Sequence, residues 1–254
     1  MIEETEVSRA IVEEAVGDFL DCLNVDVAIA GGGPSGLVAA RYLAEAGVKV
    51  ALYERKLSLG GGMWGGGMMY PKIVVQEEAK GVLDDYDIKY RKSGKQYVAS
   101  SIESVAKLVS KAIDSGANLF NCISIEDVMI RKKRVCGFVL NWSAVESTGL
   151  HVDPLAVKSK YCVDATGHPL EVCAIVCDKV GKLNTPSGGI MGEGSMWAEL
   201  SEKLVVENTS EVYPGLYVSG MAANAVYGSP RMGPIFGGML LSGKKVAQLI
   251  AEKL

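Results

Sequence analysis

The chain has two histidines, His151 and His168, and they bracket one short stretch, "HVDPLAVKSKYCVDATGH". Asp153 stands two places after the first. Imidazole and carboxylate bind first-row metals, and imidazole also moves protons near neutral pH. Asp153 precedes Pro154, which pushes it toward an extended conformation. If the segment is extended, His151 and Asp153 face the same way, ~6–7 Å apart along the backbone, and can serve one pocket. His168 follows "KYCVDATG", a buried strand, and so sits at the carboxyl edge where open α/β sheets bind ligands. One imidazole and one carboxylate are too few for a closed structural site, so substrate or water must fill the other positions of any metal held there. Two unrelated structural histidines are the plainer alternative.

A second group of residues points to a nucleotide. Gly31, Gly33 and Gly36 form G-x-G-x-x-G directly after "VDVAIA", which reads as a strand, and they open a helix. The first glycine allows the tight turn, the second lets backbone approach a pyrophosphate, and the third permits close helix–strand contact. The helix N-terminus supplies free N–H groups for the phosphates. Glu54 ends the next strand, where a carboxylate accepts hydrogen bonds from ribose hydroxyls and opposes an adenosine 2′-phosphate. Arg55 adds a phosphate or adenine contact, or is simply solvated. The run "LGGGMWGGGMMYP" then carries six glycines, among them Gly62. Such density is costly to order, and either backbone passing close to a ligand or a mobile lid would account for it. Arg231, within "GSPRMGPIF" before the last helix, is a donor fork suited to a carboxylate or phosphate.

The elements that must position these residues follow from periodicity. "VDVAIAGGGPSGLVAARYLAEAGVKVALYER" reads strand, glycine turn, helix, strand. "SSIESVAKLVSKAIDSG" reads as a helix with a capping box from Ser100 to Glu103, closed by Gly116. "ANLFNCISIEDVMI" and "RVCGFVLNW" read as strands joined by the basic turn "RKKR", and "GLYVSG" as a strand before a long terminal helix. Val7, Ile11, Val12, Phe19, Leu20 and Leu23 recur at helical spacing near the N-terminus, a helix packed on the domain or on a neighbouring subunit. The expected organisation is an N-terminal helical arm, 1–24, and a single NAD-binding Rossmann-like catalytic domain, 25–254. Alternating strands and helices imply an α/β fold with a mainly parallel sheet and an antiparallel insertion.

Composition narrows the function classes. The 254 residues are 48% hydrophobic, enough for a real core. A net charge of −4 argues against nucleic acid or an anionic membrane as main partner. No apolar run approaches the ~18 residues of a membrane span, and the acidic N-terminus has no signal-peptide pattern, so a cytoplasmic location is expected. The six cysteines (Cys22, Cys122, Cys136, Cys162, Cys173 and Cys177) show no metal-finger or C-x-x-C spacing and fit reduced thiols in a cytosol.

"YCVDATG" and "GLYVSGMAANAVYGSPRMGPIFGG" resemble the further signatures of flavoprotein-like, two-dinucleotide-binding Rossmann folds. Flavoproteins usually carry Gly-Asp at the late strand, whereas this chain has Gly220-Met221, which weighs against a flavin. With "GGGPSG", "ERK", "GGGMWGGGM", "HVDP", "ATGH" and "RMGPIFGGMLLSG" in this order, nearly the whole chain resembles the thiamine thiazole synthase family, its archaeal branch closely. That resemblance implies an enzyme that consumes NAD as a substrate. Nicotinamide is lost, and the ADP-ribose condenses with glycine and a sulfur atom to an adenylated thiazole carboxylate. Carried over by motif, Ser35, Glu54, Arg55 and Gly62 contact NAD, with Ile125 near the adenine. His151, Val152 and Asp153 reach the NAD of a neighbouring protomer, and Met221 lies at the bound substrate. Asp153 and His168 hold Fe(II), the aspartate from the adjacent subunit, and Arg231 clamps the glycine carboxylate. The family implies a homo-octamer with sites shared between subunits. His151 stands where the eukaryotic branch has a cysteine that gives up its sulfur, so the resemblance implies external sulfide here, with His151 an acid/base or a pocket lining. Ribose 1,5-bisphosphate isomerase, described for some archaeal members, a flavin-dependent oxidoreductase on the same fold, and a non-catalytic NAD- or iron-binding assembly protein are the alternatives.

Overall fold

The computed structural model describes residues 2–254. Helix α1 (Glu4–Asp21) leads into β1 (Asn24–Ala30), α2 (Pro34–Glu45) and β2 (Val50–Glu54). The glycine run makes a 3-10 turn over Gly61–Gly65, followed by β3 (Lys72–Gln76), α3 (Lys80–Asp85), β4 (Tyr90–Ser93) and β5 (Gln96–Ser100). Next come α4 (Ser101–Asp114), β6 (Asn118–Asn121), β7 (Ile123–Arg131), β8 (Arg134–Trp142), α5 (Ser143–Thr148) and β9 (Leu155–Asp164). The chain ends with α6 (Glu171–Val180), α7 (Ala198–Glu207), β10 (Ser210–Tyr213), β11 (Leu216–Val218), α8 (Met221–Tyr227) and α9 (Gly237–Ala251).

The larger sheet runs β10-β11-β9-β1-β2-β6, parallel from β11 to β6, with β7 and β8 joined antiparallel through β9. A separate antiparallel sheet, β3-β5-β4, is the insertion. This is the two-dinucleotide-binding type of Rossmann architecture expected from the motifs. Its central strand shows why the order holds: in β1, Val27 and Ile29 enter one core while Ala28 and Ala30 enter the other. A strand buried on both faces can sit only in the middle of a layered α/β sheet. Helices α2, α4 and α9 cover one face, and α6 and α8 the other.

Strand β9 changes neighbours along its length. Residues 155–158 pair with β8, and residues 162–164 pair with β11, while β1 runs along the other edge from Lys158 to Asp164. The loop carrying His151 therefore enters this strand at one end, and the loop carrying His168 leaves it at the other.

Two expectations are corrected and a third is narrowed. "ANLFNCISIEDVMI" is two strands, because Cys122 takes a left-handed conformation (φ 57°) between them. That turn lets β6 lie parallel to β2 while β7 swings away to pair with β8. The capping box is half formed: Ser100 Oγ accepts from the Glu103 N–H, but the Glu103 carboxylate turns to the Lys89 N–H and to Lys107. Helix α1 buries none of its residues. Phe19 packs edge-on to Phe120 and the Asp21 carbonyl oxygen accepts from Lys49 Nζ, while Val7, Ile11, Val12, Val16 and Leu20 face outward, so most of the helix does not pack on its own domain.

Candidate functional site

The carboxyl ends of β1, β2, β9 and β11 open on one cavity of about 650 Å³. Parallel strands with helices on both faces place their connecting loops at this edge, so residues distant in sequence converge here.

The glycine loop after β1 divides its three roles visibly. Gly31 has φ 98°, and a Cβ there would lie 2.4 Å from the Ala165 carbonyl oxygen. A Cβ on Gly36 would lie 2.1 Å from the Gly31 oxygen, so α2 can meet the loop only without a side chain. Gly33 faces open space, and it borders the cavity with Gly31 and Ser35 at the start of α2. The loop is thus closed behind and open in front, with the helix N-terminus aimed at the space where a pyrophosphate would lie. Gly61 packs against Gly33, and Gly61, Gly62 and Gly66 line the cavity, so the glycine run forms part of its wall.

Glu54 is buried at the end of β2. Its Oε2 accepts from the Gly32 N–H at 2.8 Å and its Oε1 from the Lys56 N–H at 2.8 Å. These bonds lock the carboxylate at the cavity wall and leave each oxygen a lone pair for a ligand hydroxyl. Arg55, beside it, is paired through Nη1 with Glu171 Oε1 at 2.5 Å. Glu171 was not singled out in the sequence. Burial pushes its carboxyl above the usual range, against the opposing pull of Arg55.

His168 lines the cavity beyond β9, and its Nδ1 lies 2.5 Å from Glu193 Oε1. The other Glu193 oxygen lies 3.6 Å from Arg231 Nε. Backbone bonds hold this arrangement: Gly194 N–H donates to the Ser229 oxygen, Arg231 N–H to the Gly194 oxygen, and Trp197 N–H to the Arg231 oxygen. Glu193 therefore links the two residues nominated for metal and carboxylate binding, and sequence pattern gave no sign of it. A carboxylate on one imidazole nitrogen fixes the tautomer and leaves the other nitrogen for a ligand. Ile125 and Met221 also line the cavity; Gly220 turns so tightly past Ser35 that a Cβ would meet Ser35 Oγ at 2.6 Å. The chain has no acid at the Gly220-Met221 turn, and Met221 stands buried in the wall.

His151, Val152 and Asp153 lie outside the cavity, in an exposed loop before β9. Ten residues of extended strand separate that loop from the one bearing His168, roughly 30 Å at strand rise. The expectation that His151 and Asp153 open on a pocket is not met within one chain. Among the described residues no three His, Cys, Asp or Glu side chains gather as a metal cluster. Around the loop, Trp142, Leu150, Val152 and Leu155 expose apolar surface. None of the six cysteines lines the cavity. Burial pushes the Cys162 thiol up to about 12, the state of an inert thiol. No helix among the described residues is long and apolar enough to cross a membrane.

A family model described as the Thi4 family matches residues 8–236. A protein of Methanothermobacter thermautotrophicus named thiamine thiazole synthase is 58% identical over 255 aligned residues, covering 100% of this chain and 99% of that protein. A protein of the same name from Pyrococcus abyssi is 55% identical, with 100% and 99% covered. The crystal structure of Thermovibrio ammonificans THI4 superposes with a TM-score of 0.98 at 49% identity, covering 100% of this chain and 99% of that one.

Proposed function

The chain belongs to the Thi4 family, an assignment that supports an enzyme of thiamine thiazole formation, and from that premise we propose that it builds the thiazole from NAD, glycine and sulfide. The observation that carries the proposal is the single cavity bordered by the glycine loop, Glu54, His168 and Arg231. The loop and the start of α2 take the pyrophosphate, and Glu54 takes the adenosine ribose hydroxyls. These contacts fix the ribose whose nicotinamide is lost toward His168 and Arg231. Arg231 receives the glycine carboxylate as a fork, with Glu193 bracing the guanidinium. Condensation of the sugar carbons with glycine nitrogen and sulfide, with loss of water, then yields an adenylated thiazole carboxylate.

Of the two nominated metal ligands, a single chain brings only His168 to the cavity. Its tether to Glu193 suits a metal ligand, but one imidazole does not hold an ion. The donor set fits Fe(II) when Asp153 of a second copy reaches the cavity, and the exposed loop at 151–154 beside apolar Trp142, Leu150 and Leu155 suits such a contact. When bound, the metal supplies a Lewis acid with open positions for substrate. The assembly is then a homo-oligomer whose sites are completed in trans, consistent with an octamer. Sulfur comes from outside the polypeptide, since His151 has none to give and no cysteine faces the cavity.

The test is anaerobic incubation of the protein with NAD, glycine, sulfide and Fe(II), followed by mass spectrometry of the released small molecules. Nicotinamide and an adenylated thiazole carboxylate are expected. Unaltered NAD, a bound flavin, or turnover of ribose 1,5-bisphosphate without thiazole would overturn the proposal.

A further inference from the structure

Positions 54 and 55 carry opposite instructions for the adenosine ribose. A carboxylate at the end of the second strand accepts the free 2′- and 3′-hydroxyls, whereas an arginine nearby is what related folds use to receive a 2′-phosphate. Both are present here. Glu54 does not decide the matter alone, because each of its oxygens already accepts a backbone N–H that offsets part of its charge.

The geometry points to Glu171 as the residue that decides, by holding Arg55 out of reach of a 2′-phosphate. The inference rests on the dinucleotide reading of the cavity. Arg55 and Glu171 both line that cavity, and their ion pair joins the end of β2 to the start of α6. The Glu171 side chain is 23% exposed and the Arg55 side chain 45%, so the carboxylate is the sheltered partner and the arginine the wetted one. Its position is built rather than incidental. Glu171 is the first residue of α6, and its N–H donates to Thr166 Oγ1 at 2.9 Å. Thr166 Oγ1 in turn donates to Asp164 Oδ1, and the fully buried Asp164 accepts the Cys173 N–H through Oδ2 at 2.8 Å. The carboxylate is thus anchored to the carboxyl end of β9 and reaches the arginine from across the site.

Two effects follow from the pair. The guanidinium spends a strong, charge-assisted bond on Glu171 and would have to give it up for a phosphate. Glu171 also cancels the charge of Arg55, so an incoming dianion meets less attraction than the arginine alone would give. Lys56 and Arg231, the other basic side chains of the wall, are the same in every variant below and cancel from the comparison.

The experiment measures affinities of ADP-ribose and 2′-phospho-ADP-ribose by calorimetry, with circular dichroism as a check on folding. Glu171→Gln should raise the affinity for the phosphorylated ligand relative to ADP-ribose by roughly tenfold or more, one freed charge-assisted donor and one removed negative charge. Adding Arg55→Leu to that variant should abolish the gain. Glu171→Asp, which keeps the charge but shortens the reach, should move the ratio in the same direction by less, and serves if the glutamine variant folds poorly. If the two ligands shift together, or the gain survives without Arg55, the pair only ties β2 to α6 and the inference is wrong. Glu54→Ala separates the levels. Where it weakens ADP-ribose but Glu171→Gln leaves the ratio unchanged, this inference alone falls; where it leaves ADP-ribose untouched, the dinucleotide reading falls too.

Discussion

Replacing Glu202 by glutamine should make the protein's stability less sensitive to pH, by an amount the structure sets. Glu202 lies on α7 beneath the first turn of α9, next to residues of the cavity wall. Its Oε2 accepts the Gly238 N–H at 2.7 Å, its Oε1 has no partner, and the nearby Gln76 Oε1 is also unpartnered. Burial pushes its carboxyl up to about 7 from an ordinary 4.5, with Glu78 adding repulsion and the Gly238 N–H and the neighbouring Gln76 side chain opposing. The folded state therefore binds this proton more tightly than the unfolded chain. The resulting stability is fully present below pH ~4.5 and is lost as pH rises through ~7, a total on the order of 3 kcal/mol for a shift of about 2.5 units. Carboxylates held below their usual range, such as Asp26 and Asp85, act in the opposite sense at lower pH, but they are unchanged in the variant and cancel in the difference. Glutamine can keep the Gly238 bond and offer an N–H to Gln76 Oε1. The assay is urea unfolding of both proteins at pH steps from 5 to 8.5. The variant's advantage should grow by more than 1 kcal/mol per pH unit up to neutrality and then level off. Parallel stability curves across that range would show that Glu202 is ionised in the fold, and the reasoning would fail.

Other outcomes follow from the site. Glu54→Ala should weaken NAD binding by ~1–3 kcal/mol, read by calorimetry, and narrow the preference over NADP; an unchanged affinity would move the ribose elsewhere. Gly36→Ala should lower stability by about 1–3 kcal/mol or more in denaturant unfolding, since its Cβ would lie 2.1 Å from the Gly31 oxygen; a neutral effect would mean the loop can yield. Asp153→Ala and His168→Ala should each abolish thiazole formation with the fold intact. Co-assembled at equal amounts, the two variants should recover about a quarter of wild-type activity, because one site in four draws both ligands from intact copies. No recovery on mixing would place both ligands in one chain. Product formation should require added sulfide, and intact-protein mass spectrometry should find no cysteine converted to dehydroalanine. Thiazole made without sulfide, with such a mass loss, would refute the external sulfur source.

The local chemistry was legible where neighbours in sequence are neighbours in space. Gly31 and Gly36 were assigned their steric roles from spacing, and the structure places backbone where those roles require it. Glu54 could be read because its meaning depends on one strand end. Glu171 and Glu193 could not, since a lone acid acquires a role only from what the fold packs against it. Arg55 comes from the end of β2, Arg231 from beyond α8, and no periodicity announces those meetings. The loop at 151–153 lines no pocket of its own chain, and the sequence could not say which surface it meets, because extended backbone fixes which way side chains point, not what lies opposite. Helix α1 teaches the same lesson: the stripe from Val7 to Leu20 says that a face wants covering and is silent about what covers it. The break at Cys122 was hidden because a left-handed cysteine leaves no mark on the hydrophobic pattern.

Strand β9 has a consequence for how such an enzyme responds to dilution. It holds the candidate ligands Asp153 and His168 at its two ends, farther apart than any rearrangement of one rigid strand could close. If the proposed centre is shared between copies, a lone chain carries the crevice and half of the ligand set, competent to bind and unable to react. Turnover per chain should fall as assemblies come apart, while the crevice built from β1 and β2 keeps its own grip on the adenosine end. The strand acts as a spacer that makes chemistry a property of the collective, so excess Asp153→Ala chains mixed with wild type would depress activity in proportion to the junctions they occupy.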